Sequence, residues 1–312
     1  MERESRIYVA GHRGLVGSGI VRKLTAEGFT NVITRPRTEL DLGDQRAVRD
    51  FFAQEQIEYA IIAAARVGGI YANATRRTDF LYENAVLAMN VIHAAAAHGV
   101  KKLLFLGSSC IYPKLAPQPI TEDALLTGPL EPTNEAYALA KIAGLKLCEY
   151  YFRDHGKHFI SAMPTNLYGP GDNFDPTGSH VVPGLMRRFH EAVVTGAKEV
   201  TVWGSGKPRR EFLHVDDLAD ALFLLMESYE DPQFLNVGTA SDLTIAELAQ
   251  LIADSVGFQG RIVYDASKPD GTPRKLLDVS RIEALGWKAR ISLADGLRET
   301  YRWALESGTL TR

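Results

Sequence analysis

The stretch Ile7-Tyr8-Val9-Ala10-Gly11-His12-Arg13-Gly14-Leu15-Val16-Gly17 decides the fold. The run Ile7–Ala10 is apolar without alternation, as in a strand covered on both faces. Glycines then fall at three-residue intervals, and Leu15–Glu27 continues with helical periodicity until Gly28 stops it. Glycine permits a tight turn and lets the backbone approach a pyrophosphate. A helix N-terminus adds unpaired N–H groups and a partial positive charge. A glycine loop between strand and helix therefore reads as a phosphate cradle.

The same alternation extends outward. Val32–Thr34, Tyr59–Ala63, Leu103–Leu106 and Phe159–Met163 read as further strands, and Asp44–Gln56, Thr78–His98 and Asn134–His155 as helices. Strand and helix in alternation predict an α/β fold. The expected form is a Rossmann-type doubly wound parallel sheet with helices on both faces. Beyond residue 165 the pattern loosens. Asn166–Pro183 is rich in Gly, Pro, Asn and Asp, and connections of that length are more often functional than idle. Helices follow near Pro183–Thr195, Asp216–Glu227, Ile245–Val256 and Leu293–Glu306, with a strand near Val200–Trp203. We expect a dinucleotide-binding domain over 1–165 and a smaller α/β substrate lobe over 166–312, the second interleaving with the first.

Composition agrees with two units, since 312 residues is about twice a domain of ~150. The 35 basic and 38 acidic residues nearly cancel, which gives no reason to expect nucleic acid or a membrane surface as partner. No stretch approaches the roughly 20 apolar residues of a membrane span, so a soluble cytoplasmic protein is expected. Two cysteines, Cys110 and Cys148, exclude a disulfide framework and a cysteine-built zinc cage, and no metal is expected.

The end of the second strand bears on the cofactor. NAD-preferring folds place Asp or Glu there for the ribose hydroxyls. Here Val32-Ile33-Thr34 runs into Arg35-Pro36-Arg37, and Arg13 lies in the glycine loop. Guanidiniums suit a 2′-phosphate, which favours NADP(H) over NAD. Glu39 and Asp41 follow closely, so a ribose carboxylate stays open.

The fourth strand empties into Gly107-Ser108-Ser109-Cys110-Ile111-Tyr112, and Tyr137-Ala138-Leu139-Ala140-Lys141 lies on a later helix. Spacing of four puts phenol and ammonium on one face. The Lys is expected to lower the Tyr pKa from about 10 and fit it for proton exchange with a carbonyl or alcohol oxygen. A serine hydroxyl could hold the same oxygen.

With the glycine loop and Asn166-Leu167-Tyr168-Gly169-Pro170, these segments resemble the extended short-chain dehydrogenase/reductases that act on nucleotide sugars. Further signatures are Pro113-Lys114, Leu130-Glu131-Pro132-Thr133-Asn134-Glu135, Ser179-His180-Val181, Trp203-Gly204-Ser205-Gly206 and Lys268-Pro269-Asp270-Gly271-Thr272-Pro273-Arg274-Lys275. The resemblance covers nearly the whole chain. Within the family it points to the branch that uses NADPH to epimerise and reduce GDP-4-keto-6-deoxymannose. It implies Ser108, Tyr137 and Lys141 as the carbonyl-handling set, Cys110 as epimerisation base and His180 as acid. It places the cofactor on Gly11, His12, Arg13, Gly14, Leu15, Val16, Gly17, Arg37, Leu106, Gly107, Ser108, Ser109, Tyr137, Lys141, Pro164, Thr165, Asn166, Leu167 and His180. It assigns the GDP-sugar to Arg188, Trp203, Arg210 and Asp270; Arg187 and Arg209 stand beside two of these as alternatives, and a diphosphate's need for cations adds Lys275 as a candidate. It also implies a homodimer paired through Thr78–His98 and Asn134–His155. Cys148, about 16 Å along the helix from Tyr137, reads as structural.

The competing readings are a sibling 4-epimerase or 4,6-dehydratase and a catalytically silent NADP-binding regulator. Family dehydratases carry an acidic residue beside the strand-end Ser/Thr, which Ser108-Ser109-Cys110-Ile111 lacks. A silent regulator has no need of Ser108, Tyr137 and Lys141.

Overall fold

A computed structural model of the protein describes residues 1–176, 178–268 and 270–310. Pro269 of the Lys268–Lys275 signature lies outside the described residues. The first part runs β1 (Ile7–Ala10), α1 (Leu15–Ala26), β2 (Val32–Ile33), α2 (Gln45–Glu55), β3 (Tyr59–Ile62), α3 (Ile70–Thr75), α4 (Arg77–Ala97), β4 (Lys102–Leu106), α5 (Glu135–His155) and β5 (His158–Pro164). The second runs β6 (Asn166–Tyr168), α6 (Val181–Thr195), β7 (Glu199–Trp203), β8 (Arg209–Arg210), β9 (Phe212–His214), α7 (Val215–Ser228), β10 (Leu235–Val237), β11 (Leu243–Thr244), α8 (Ile245–Val256), β12 (Arg261–Asp265), β13 (Arg274–Lys275), α9 (Ser280–Ala284) and α10 (Leu293–Glu306).

Six strands form one parallel sheet in the order β10-β5-β4-β3-β1-β2. Its apolar runs feed two cores because successive side chains point to opposite faces. Ile7 and Val9 join Ile61, Leu104 and Leu106 beneath α1 and α7. Tyr8 and Ala10 join Ala60, Ile62, Leu103 and Phe105 beneath α2, α4 and α5. Helices thus cover both faces, which is the doubly wound fold. β10 comes from far beyond residue 165, and α7 packs on α1.

Strand order reverses between β1 and β3, and a crevice opens there at the carboxyl ends, where such folds bind ligands. α5 lies unusually close to β4. A Cβ on Gly144 would stand 2.6 Å from the Phe105 ring and 3.2 Å from Ala88 Cβ. That approach lets the α5 side chains reach the β4 terminus.

The remaining strands make a smaller lobe. β7 pairs with β12, β8 bridges β11 and β13, and β6 pairs with β9. Its core gathers Met186, Phe189, Leu248, Ile252 and Leu297. Glu211 fixes this lobe to the sheet. It is wholly buried, and its carboxylate accepts from the backbone N–H of Thr239, Ala240 and Leu277 at 2.6, 2.9 and 3.1 Å.

Several sequence boundaries move. The expected helix Thr78–His98 begins at Arg77 behind the unforeseen α3, and Asn134 is the N-cap of α5 rather than its first residue. Within the expected long loop Asn166–Pro183, β6 pairs and α6 begins at Val181, because proline is tolerated in a first helical turn.

Candidate active site

The glycine loop shows what each glycine is for. Gly11 has φ +83°, and a Cβ there would lie 2.7 Å from the Ala64 amide nitrogen beyond β3. A Cβ on Gly17 would lie 2.1 Å from the Gly11 carbonyl oxygen. Both are needed by the fold. Gly14 differs, because its nearest neighbour would be the same oxygen at an ordinary 3.5 Å. Gly14 is the N-cap of α1, with no side chain capping the helix and no acid in its first turn. The helix N–H groups and the positive dipole end therefore face the crevice, and the bare backbone at Gly14 admits a close anionic ligand. These residues fit a dinucleotide pyrophosphate.

The two arginines after β2 separate. Arg35 is tied back, donating to Glu55 at 2.5 Å with its guanidinium over the Phe51 ring. The Arg37 side chain is 76% exposed and only loosely paired with Asp41 at 3.6 Å. Arg13, Arg35 and Arg37 all line the crevice at this rim, and Arg13 and Arg37 are the exposed ones.

At the β4 end, Ser108 starts a one-turn helix, Ser109–Ile111, and its Oγ accepts from the Cys110 amide at 3.4 Å. Lys141 is buried. Its Nζ donates to the Leu106 carbonyl at 2.7 Å and lies 5.8 Å from the centroid of the Tyr137 ring. The expected lowering of the Tyr137 pKa by Lys141 is not found. Burial pushes the phenol well up, and the Cys110 charge adds to that. Burial also pushes Lys141 down to about 8. The cause is geometric: the ammonium is aimed at the Leu106 carbonyl, over the ring rather than at the phenol oxygen. A phenol held protonated suits a proton donor, because an alkoxide formed beside it is the stronger base.

Cys110 is partly exposed, and the Asn134 amide donates to its Sγ at 3.4 Å. Cys148 is buried, with its thiol pushed up to about 12 by that burial, as fits an inert core residue. His180 is the N-cap of α6. Its Nδ1 stands 4.0 Å from Asp172 Oδ1, and the neighbouring Asp172 carboxylate raises its pKa above the ordinary histidine value despite partial burial. Asp172 was not singled out from sequence, because no spacing rule links it to His180 eight positions on.

Pro164, Thr165, Asn166 and Leu167 line the same crevice. Asn166 Nδ2 and Thr165 Oγ1 donate to the Glu211 carbonyl at 2.8 and 3.4 Å, which fixes this edge to the second lobe.

The paired arginines of that lobe differ in their bonds. Arg187 bonds the carbonyls of Phe174 and Thr309, and Arg209 bonds Asp242, so both hold loops. Arg188 and Arg210 line the crevice, as Arg187 does, and among the described residues their hydrogen bonds go to backbone carbonyls. Trp203 is 66% exposed, flanked by Arg188 at 5.9 Å and Lys268 at 5.7 Å, so it is not a core residue. Asp270 accepts from Ser205 N and Oγ at 2.9 and 2.6 Å and so tethers the turn after Trp203. Asp270 lines the crevice from that tether. Lys275 lines the crevice as well.

The crevice holds about 2740 Å³, far beyond the ~300–1,000 Å³ of a site for one small molecule. It runs from the glycine loop past Ser108, Tyr137 and His180 to Arg188, Trp203 and Arg210. A phosphate cradle at the switch point, beside a serine, tyrosine and lysine converging on one strand end, defines a dinucleotide-dependent oxidoreductase of the short-chain type. The chain belongs to the NAD dependent epimerase/dehydratase family, whose model matches residues 7–238.

Individual relatives are similar over nearly their full length. GDP-L-fucose synthase 1 of Arabidopsis thaliana is 59% identical over 306 residues, spanning 98% of this chain and 95% of that protein. GDP-L-fucose synthase of Escherichia coli (strain K12) is 58% identical over 313 residues, spanning 97% and 98%. The solved structure of MlghC, a GDP-mannoheptose C4 reductase from Campylobacter jejuni with NADP bound, superimposes with a TM-score of 0.90 at 38% identity, covering 98% and 99%.

Proposed function

We propose that the protein uses NADPH to convert GDP-4-keto-6-deoxy-D-mannose to GDP-L-fucose, by epimerisation at C3 and C5 and reduction at C4. The reading rests on one arrangement: a carbonyl-handling set and two separate proton-transfer groups line one crevice between a dinucleotide cradle and a cationic lobe. The names of the relatives supply the sugar, the nucleotide and the cofactor.

The chemistry follows from the ketone, which acidifies the protons on both neighbouring carbons. The Cys110 thiolate removes one. The Ser108 hydroxyl and the Tyr137 phenol hold the resulting enolate oxygen by hydrogen bonds. Protonated His180 returns a proton from the opposite face, inverting the carbon. Exchange with water resets Cys110 and His180 for the second carbon. NADPH, when bound, supplies the hydride that reduces the ketone. Tyr137 then gives its proton to the C4 oxygen, and its raised pKa keeps that proton in place until the alkoxide draws it. Asp172 keeps His180 protonated and oriented. Arg13 and Arg37 receive the 2′-phosphate, while Arg188, Arg210 and Lys275 face the GDP diphosphate and Trp203 offers an aromatic face.

Exposed Leu81 and Tyr82 on α4 and Leu139 and Tyr150 on α5 support a homodimer built by pairing these helices. No helix among the described residues is long and apolar enough to cross a membrane.

An absorbance assay at 340 nm with GDP- and UDP-linked 4-keto-6-deoxy sugars side by side tests the reading. NADPH oxidation with the GDP sugar is expected. No change with the GDP sugar, or equal rates with both, contradicts it.

A further inference from the structure

Asparagine at the start of a helix ordinarily caps it, accepting from a backbone N–H two or three residues on. Asn134 occupies the N-cap of the 21-residue α5 and makes no such bond. Its amide nitrogen donates instead to Cys110 Sγ at 3.4 Å, and its Oδ1 is buried without a partner among the described residues. The helix thus forgoes its side-chain cap, and a buried carbonyl goes unsatisfied among the described residues, so that one N–H can point at a sulfur. Helix stability does not account for that choice.

The sequence spacing adds to this. Asn134, Tyr137 and Lys141 stand at i, i+3 and i+7, one face of α5. Cys110 and Tyr137 line the same crevice. Lys114 and Glu131 line the same crevice and are paired with each other at 2.9 Å.

We propose that Asn134 is a positioning residue for proton abstraction, holding the Cys110 sulfur by a hydrogen bond that favours the thiolate over the thiol. The amide N–H is a donor and stabilises a sulfur that has lost its proton. It also fixes the sulfur relative to Tyr137 on the same helix. The proposal deepens the epimerase reading and rests on it for its catalytic part; the coupling of Asn134 to Cys110 does not need a substrate.

The test uses the full chain in two arms. The first follows iodoacetamide alkylation of Cys110 against pH, in a Cys148→Ser background, for wild type, Asn134→Ala and Asn134→Asp. The rate curve is expected to move to higher pH in Asn134→Ala and further in Asn134→Asp, where a carboxylate replaces the donor. The second follows solvent deuterium entry into the GDP-linked 4-keto sugar. A loss of about tenfold in Asn134→Ala and more in Asn134→Asp is expected, with NADPH affinity retained.

A cap behaves oppositely, because Asp is as good an N-cap as Asn. Asn134→Asp matching wild type in both arms, or an alkylation curve that does not move in either variant, overturns the proposal. A wild-type protein that takes up no deuterium, while the alkylation curves move as expected, contradicts the epimerase reading and the catalytic part of the proposal but leaves the Asn134–Cys110 coupling standing.

Discussion

His180 Nδ1 stands 4.0 Å from Oδ1 of Asp172, a carboxylate the loop buries beside it. Asp172 Oδ1 also accepts from the Asn173 amide at 2.8 Å, so the carboxylate is held in place. A fixed carboxylate raises the histidine pKa, and the acid role needs the protonated form.

Asp172→Asn removes that support. The alkaline fall of epimerisation, where His180 loses its proton, should move to lower pH in the variant. The rate should fall by no more than the ~10²-fold at the low end of general-acid catalysis. The stability sign is also set: the native pKa is raised, so the stabilisation is full below the unfolded value and vanishes as pH rises through the native one. Urea unfolding of wild type and variant at a series of pH values should converge at high pH. A gap that widens with pH contradicts the pairing.

Lys141 is buried and pushed down to about 8, so its protonated form weakens the fold. Its native pKa is depressed, so relative stability should rise with pH between about 8 and the ordinary lysine range near 10.4. Lys141→Met should leave the Tm unchanged or raise it, while reduction falls at least about a hundredfold. A large Tm loss with activity retained would mean that Lys141 serves the core and not the ketone.

Gly14→Ala and Gly17→Ala distinguish fold from ligand. Gly17→Ala forces a Cβ to 2.1 Å from the Gly11 oxygen and should prevent stable folding. Gly14→Ala meets only ordinary contact at 3.5 Å and should fold with near wild-type Tm. It should lose NADPH affinity, measured by fluorescence titration, by tenfold or more. Equal affinity in Gly14→Ala would remove the α1 N-terminus from the pyrophosphate site.

Arg37→Ala should weaken NADPH binding by about tenfold, near the worth of one charge-assisted hydrogen bond, and leave NADH nearly unchanged. Arg35→Ala should instead cost roughly 1–3 kcal/mol of stability through its lost Glu55 bond and its contact over Phe51. Calorimetric binding and chemical denaturation check the two. A reversal of the two effects would exchange their roles.

The arginine pair also shows where sequence reading stops. Ile7–Ala10, the three glycines and the Tyr137–Lys141 spacing carry local signals, and period and turn chemistry made the doubly wound sheet legible from them. The tie that sets Arg35 apart from Arg37 is to Glu55, at the far end of α2. Likewise Arg187, unlike Arg188, is tied to the carbonyls of Phe174 and Thr309, which lie far from it in sequence. β8, β11 and β13 are two residues long and carry no period at all. Asn134 read as an ordinary helix-start residue, because nothing in its neighbourhood tells of a cysteine folded against it from 24 positions away. The Lys141 effect on Tyr137 failed for a related reason: spacing puts the two on one face but does not aim the ammonium.

The central claim is that one crevice both inverts two carbons and reduces a third. Conversion of GDP-4-keto-6-deoxy-D-mannose in deuterated water with protiated NADPH, read by NMR of the product sugar, tests it most directly. Deuterium is expected at C3 and C5 and protium at C4 of an L-configured sugar. Protium retained at C3 and C5, with C4 reduced, would contradict it.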